Sequence, residues 1–110
     1  MATAVDQQLE TPLNSDAERE TGLVCSLDSP IYDALTDVTI DVEDEVAYQL
    51  IKWGEQTRTP GLWSLILTEE MGEAAKEALE NNPQALRAEL LQVAAVAVNW
   101  VMQLDREATT

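Results

Sequence analysis

Hydrophobic and polar residues recur with helical spacing over the last two thirds of this chain. From residue 62 to residue 80 the run LWSLILTEEMGEAAKEALE has no proline and is rich in Leu, Ala, Met and Glu, which favour helices. Thr59-Pro60 supplies a capping oxygen followed by a proline in the first turn, where a missing N–H costs little. The pattern predicts a helix that begins near residue 60.

A second helix follows after a short break. Asn81-Asn82-Pro83 interrupts the first pattern and starts a new one, with Asn82 as the expected N-cap and Pro83 at the first helical position. The apolar pattern then continues to about Leu104. Because so few residues connect the two helices, we expect them to pack as an antiparallel hairpin.

A third apolar stripe precedes the hairpin. Val42, Val46, Leu50 and Trp53 recur at i, i+4, i+8 and i+11, which predicts a helix from about 40 to 56. We therefore predict an all-α fold, an antiparallel helical bundle of about three core helices. The helical domain would occupy residues 39–106, with a tail at 107–110.

The first 38 residues have a different character. They are rich in Asp, Glu, Ser, Thr and Pro, and Pro12 and Pro30 interrupt any long apolar pattern. We expect an acidic, weakly structured segment. Its single cysteine, Cys25, has no partner for an internal disulfide and no basic neighbour in sequence that would lower its pKa.

The last helix contains the run VAAVAVNWVM, in which only Asn99 is polar. A helix that is apolar all round requires burial on all sides, and two partner helices from so short a chain can hardly enclose it. We therefore expect the bundle to be completed by oligomerisation into a homodimer or homotetramer.

The composition and net charge of the chain exclude several classes of partner and site. The 110 residues carry six Lys and Arg against 21 Asp and Glu, a net charge of -15, which argues against nucleic-acid or anionic-membrane partners. The absence of histidine leaves no imidazole base and no histidine zinc site. The N-terminus MATAVDQQLE lacks the features of a signal peptide, and no apolar run approaches the roughly 20 residues of a membrane span, so we expect a soluble cytoplasmic protein.

The predicted hairpin contains the candidate metal-binding residues. In an antiparallel pair, Glu70 lies at the height of Gln92 and Glu73 at the height of Glu89, and each i, i+3 pair presents its oxygens on one helix face. Carboxylates that converge in this way must protonate or bind a cation, and Mg²⁺ or Mn²⁺ prefers such oxygen ligands. The alternative is that these glutamates line a solvated helix face.

Further along the same wall are groups suited to a nucleotide. Trp63 lies opposite Asn99, two turns or about 10 Å from the carboxylates, which suggests base stacking and hydrogen bonding. Core packing of Trp63 and an interhelical hydrogen bond from Asn99 are the alternatives. The first helix ends with Lys52, Trp53 and Gln56, and these side chains could reach a ligand that lies along the hairpin. The alternative for Lys52 is that a cation near a helix C-terminus interacts favourably with the helix dipole.

These residues resemble a known family. KWGEQ at 52–56, LTEEMGEAAKEALE at 67–80 and ELLQVAAVAVNW at 89–100 are similar to the MazG-like all-α nucleoside triphosphate pyrophosphohydrolases, especially small stand-alone members of phage and bacteria. The resemblance covers about residues 42–104. It implies an oligomeric helical bundle that holds Mg²⁺ on ExxE and ExxD motifs and cleaves nucleoside triphosphates to monophosphate and pyrophosphate.

The resemblance assigns roles to individual residues. Glu70 and Glu73 match the first motif, Glu89 opens the second, and Glu69 just before the first would act beside the ligands or orient water. For a hydrolase, Glu69 or Glu77 would accept the proton from water, and Lys52, Lys76 or Arg87 would neutralise outlying phosphate oxygens. Gln92 departs from the pattern, which has aspartate there. An amide oxygen can ligate Mg²⁺ but brings no charge. A non-catalytic nucleotide- or metal-binding helical oligomer that acts as a regulatory or interaction module is therefore the alternative function.

Overall fold

The computed structural model describes residues 29–109, and its regular structure is helical throughout that range. Helix α1 spans Pro30–Trp53, α2 spans Pro60–Leu79 and α3 spans Pro83–Ala108. The three helices pack against one another, most extensively α2 against α3, and residues 29–109 contain no strand. The prediction of an all-α bundle with three helices is confirmed.

The described residues belong to two compact units, with the boundary between residues 37 and 38. In the first unit the structure describes residues 29–37, where the Ser29 hydroxyl accepts a hydrogen bond from the Tyr32 amide at the start of α1. The interpretation of residues 1–28, including Cys25, lies outside the described residues. Residues 30–38 are helical, so the prediction that they are weakly structured is wrong.

Local capping explains where each helix begins. The Thr59 hydroxyl accepts from the Leu62 amide at 3.2 Å, and the Asn82 carboxamide oxygen accepts from the Ala85 amide at 3.3 Å. Each cap is followed by a proline in the first turn. Both predicted starts are confirmed. Ser29-Pro30 is the same pattern, and treating Pro30 as an interruption placed the start of α1 ten residues too late.

The helix ends depend on left-handed residues. Gly54, at φ 74°, ends α1 at Trp53 rather than at the predicted residue 56, because glycine adopts this conformation without a steric cost. Asn81, at φ 56°, turns the chain out of α2. The Asn81 and Asn82 amides donate back to Ala78 and Glu77, the hydrogen-bond pattern that closes many helix C-termini.

The C-terminal helix is longer than predicted. It continues to Ala108 rather than ending near Leu104, so the expected tail at 107–110 begins inside the helix. The added turn carries Arg106, whose guanidinium pairs with Glu55 at 2.8 Å. A cation in the last turn is also favoured by the helix dipole.

The core of the single chain is small. Within residues 29–109 the buried apolar residues are Val46, Trp63, Ala74, Ala95 and Val96. On α3, Val98 and Met102 are more than a third exposed and Val101 is 53% exposed, so one chain does not enclose this helix. This exposure is compatible with the predicted oligomer, which stays a prediction.

Polar contacts attach α1 to α3. The Asn99 amide donates to the Gln49 side-chain oxygen at 2.9 Å, and Arg87 pairs with Asp41 at 2.6 Å. By length and composition alone, α3 is also apolar enough to cross a membrane, the one such helix within residues 29–109. A bundle helix passes the same test, so the cytoplasmic location stays a prediction.

Candidate functional site

One pocket of about 410 Å³ lies between the C-terminal half of α1, the connection to α2, and the facing sides of α2 and α3. It is lined by most of the residues that the sequence singled out for binding, namely Lys52, Trp53, Gln56, Trp63, Glu70, Gln92 and Asn99. Four predicted site residues do not line it: Glu69, Glu73, Glu89 and Lys76. The pocket has an acidic end and a basic end.

The acidic end is centred on Glu70. Burial raises the pKa of this half-buried carboxyl above its ordinary value, and the charges of four neighbouring glutamates raise it further. In decreasing order of effect these are Glu89, Glu69, Glu73 and Glu45. The three predicted acidic ligands therefore lie close enough to act on one another electrostatically, as the antiparallel arrangement requires.

The acidic end does not contain a preformed set of metal ligands within residues 29–109. Within residues 29–109, no three acidic or cysteine side chains are close enough as they stand to ligate one ion. Glu73 is exposed and Glu89 is half-buried, so their side chains are free to turn toward Glu70. Burial is the largest cause of the raised pKa of Glu70, and the charges of the neighbouring glutamates add to it. A divalent cation would offset the repulsion among these carboxylates.

Helix α1 contributes an acidic residue that sequence reasoning missed. Glu45 lines the pocket and accepts a hydrogen bond from the Gln49 carboxamide at 3.4 Å. The sequence did contain a signal, because Glu45, Gln49, Lys52 and Gln56 recur at i, i+4, i+7 and i+11 beside the apolar stripe. Glu45, Gln49 and Lys52 line the pocket from α1, and Gln56 lines it from the connection that follows.

The basic end carries three cations, Lys52, Arg58 and Arg106, together with the carboxylate of Glu55, which pairs with Arg106. The Lys52 ammonium lies 4.7 Å from the centre of the Trp53 ring and 5.8 Å from that of Tyr48. The Arg58 guanidinium lies 4.7 Å from the centre of the Trp63 ring. Arg106 was not among the predicted site residues, because its partner Glu55 lies far from it in the sequence.

Trp63 belongs to the core rather than to an open stacking surface. It is 3% exposed, it stacks with Trp100 at 6.3 Å between ring centres, and its indole N–H donates to Gln103 at 2.8 Å. The structure thus matches the alternative of core packing. The base-stacking assignment needs correction, since little of this ring faces the pocket and Arg58 covers it.

Asn99 and Lys76 also differ from their first assignments. Asn99 makes the interhelical hydrogen bond to Gln49 that was the alternative to base recognition, although it does line the pocket. Lys76 is exposed on α2 and is not brought together with the other predicted substrate-binding residues.

Gln103 fixes the connection between α1 and α2, and sequence reasoning missed it. Its carboxamide oxygen accepts from the Arg58 amide at 2.9 Å and from the Trp63 indole, and its nitrogen donates to the Arg58 carbonyl at 2.8 Å. A further bond joins it to Glu107 at 3.1 Å. Gln103 therefore holds the backbone of Arg58, whose cationic side chain lines the pocket.

Comparison with protein-family models, with curated proteins and with solved structures finds no match for this chain. The resemblance to MazG-like hydrolases therefore stays a prediction, and the pocket itself carries the functional argument.

Proposed function

We propose that the chain is a metal-dependent nucleotide pyrophosphohydrolase of the MazG-like type, cleaving nucleoside triphosphates to monophosphate and pyrophosphate. The observation that carries the proposal is the gathering of carboxylates around Glu70 at one end of a pocket whose other end holds cations. A metal ion at the acidic end and phosphates along the pocket would complement both charges.

The residues present fit Mg²⁺ or Mn²⁺. Glu70, Glu73 and Glu89 would supply anionic oxygens and Gln92 a neutral amide oxygen, the ligand types these ions prefer. A bound ion would supply charge neutralisation and an activated water. Such a water would attack the α-phosphorus while the bond from that phosphorus to the α,β-bridging oxygen breaks and pyrophosphate leaves. A nearby carboxylate such as Glu69 or Glu77 would accept the proton.

Hydrolysis of a panel of nucleoside triphosphates with Mg²⁺ or Mn²⁺ tests the activity. We expect monophosphate and pyrophosphate from the wild type and strong losses from Glu70→Gln and Glu73→Gln. Glu80→Gln, exposed at the end of the same helix, removes the same charge away from the site and is the matched control. If neither product exceeds the Glu73→Gln background, the proposal is wrong. Nucleotide binding without turnover would instead favour a binding module.

Metal binding has its own measurement. Because a ligand that binds only the folded state stabilises it, Mn²⁺ should raise the Tm of the wild type and of Glu80→Gln but not of Glu70→Gln. An equal increase of Tm with Mn²⁺ in all three proteins would contradict the proposed metal site.

We also propose that the protein is a homodimer or homotetramer. The exposed apolar residues of α3, such as Val98 and Val101, support this because an apolar helix surface is stabilised when another chain covers it. Light scattering coupled to size-exclusion chromatography tests it, and a monomer mass at micromolar concentration would contradict it.

A further inference from the structure

Positive charge is concentrated at one place in an acidic molecule. The chain has six Lys and Arg against 21 Asp and Glu, yet three of the six cations line the same pocket. Arg106 is paired with Glu55. Within residues 29–109, Lys52 and Arg58 have no carboxylate within ion-pair distance. In a chain with this excess of acids, two unpaired cations facing one pocket are unexpected.

Aromatic rings hold both unpaired cations in place. Lys52 lies over Trp53, and Arg58 lies over Trp63. The rings attract the cations without neutralising them, so the full positive charge remains available to a ligand. The backbone of Arg58 is held further by its two hydrogen bonds with Gln103. Arg58 is therefore positioned through both its ring contact and its backbone, whereas the exposed Lys52 is oriented by its ring contacts alone.

The same contacts leave little room for a stacked base. Trp63 is covered by Arg58 and Trp100, and the Lys52 ammonium lies over Trp53. A nucleobase on the face of Trp53 that Lys52 covers would have to displace that ammonium. The tryptophans of this pocket therefore serve as supports for cations, which changes the ligand they imply from an aromatic group to an anion.

We propose that the basic end is a polyphosphate subsite, in which Lys52 and Arg58 bind the β- and γ-phosphates of the substrate. This rests on the proposed function and reverses the polarity expected from the sequence, because the phosphate tail rather than the base lies toward Trp63. Glu45 and Lys52 are seven residues apart, about 10 Å along α1. The Lys52 ammonium shortens that gap by folding back toward Tyr48. The base then lies outside the pocket, and recognition rests on the phosphate chain.

Calorimetry with inorganic pyrophosphate and tripolyphosphate tests the subsite, with and without Mn²⁺. A charge-assisted hydrogen bond corresponds to about tenfold in affinity, so Lys52→Gln and Arg58→Gln should each weaken tripolyphosphate binding about tenfold. Lys76→Gln removes the same charge from an exposed position outside the pocket and should stay within about twofold of wild type. Arg58→Lys, which keeps the charge, should lose less than Arg58→Gln.

Two results would overturn the subsite. One is an equal loss of tripolyphosphate affinity in Lys76→Gln, which would indicate only general attraction to positive charge. The other is a loss of nucleoside monophosphate affinity in Lys52→Gln and Arg58→Gln with pyrophosphate affinity unchanged, which would place the nucleoside there. Circular dichroism of each variant confirms that it is folded.

The subsite and the hydrolase activity can fail separately. If tripolyphosphate binding depends on Lys52 and Arg58 but no triphosphate is cleaved, the subsite stands and the proposed function falls. If triphosphates are cleaved and both variants bind pyrophosphate as the wild type does, the function stands and the subsite falls.

Discussion

Replacement of Gln103 by leucine should destabilise the protein through hydrogen bonds rather than through packing. The side chain is 4% exposed and leucine has a similar size, so little cavity forms. What is lost is the partner of the buried Trp63 indole N–H and the two bonds to the Arg58 backbone. Arg58 is half-buried, so its backbone groups recover part of their hydrogen bonding from water.

The cost follows from those partners. A buried donor left without an acceptor costs about 1–3 kcal/mol, and each bond that water partly replaces contributes about 0.5–1.5 kcal/mol. We therefore expect Gln103→Leu to lower the free energy of unfolding by about 2–4 kcal/mol. Because these bonds share one carboxamide, their losses need not add in full.

Urea denaturation followed by circular dichroism, at one protein concentration, measures this change. Gln84→Leu is the control, since Gln84 is exposed in the first turn of α3. Hydrogen exchange should also show faster exchange of the Arg58 amide in Gln103→Leu. A loss below about 0.5 kcal/mol, the size of an ordinary surface substitution, would show that this carboxamide does not hold the connection.

Three further outcomes follow from the structure. Because burial and neighbouring charges raise the pKa of Glu70, its contribution to stability is present below the ordinary value of 4.5 and is lost as pH rises through the folded-state pKa. Without metal at pH 7, Glu70→Gln should therefore have a higher Tm than the wild type, and the difference should shrink on acidification; a lower Tm at pH 7 would contradict this. Asn82→Ala removes the N-cap of α3 and should cost about 1 kcal/mol in urea denaturation, against no change for Asn81→Gly, which suits the left-handed backbone. Val101→Lys, on the exposed apolar part of α3, should shift the protein toward monomer in light scattering, and an unchanged mass would place the subunit contact elsewhere.

The helices were predictable because their signals are local. Thr59-Pro60 and Asn82-Pro83 carry the cap and the first-turn proline within four residues, so both starts are correct. Ser29-Pro30 has the same form, but Pro30 was interpreted as an interruption within an acidic segment. The start of α1 was therefore predicted ten residues too late. The end of α1 depended on Gly54, whose left-handed conformation a continuing polar pattern does not reveal.

The acidic end of the pocket could also be predicted from the sequence. The i, i+3 spacing and an antiparallel turn are sufficient to bring Glu70, Glu73 and Glu89 together, and the pKa of Glu70 is raised by both of the others. Whether these residues bind metal stays a prediction. The position of Glu45 beside the pocket depends on how α1 packs against the hairpin, and the spacing of residues within the hairpin does not specify that packing.

The amino-acid sequence by itself determined three helices, their antiparallel turn and one acidic face, because capping and periodicity act between residues a few positions apart. Only the tertiary structure decided what the tryptophans do. Trp63 meets Gln103 forty positions away and stacks on Trp100, which also comes from the last helix, so its N–H and its ring are already engaged. Contacts of that range depend on how whole helices pack, and here they turn a presumed base platform into a support for positive charge.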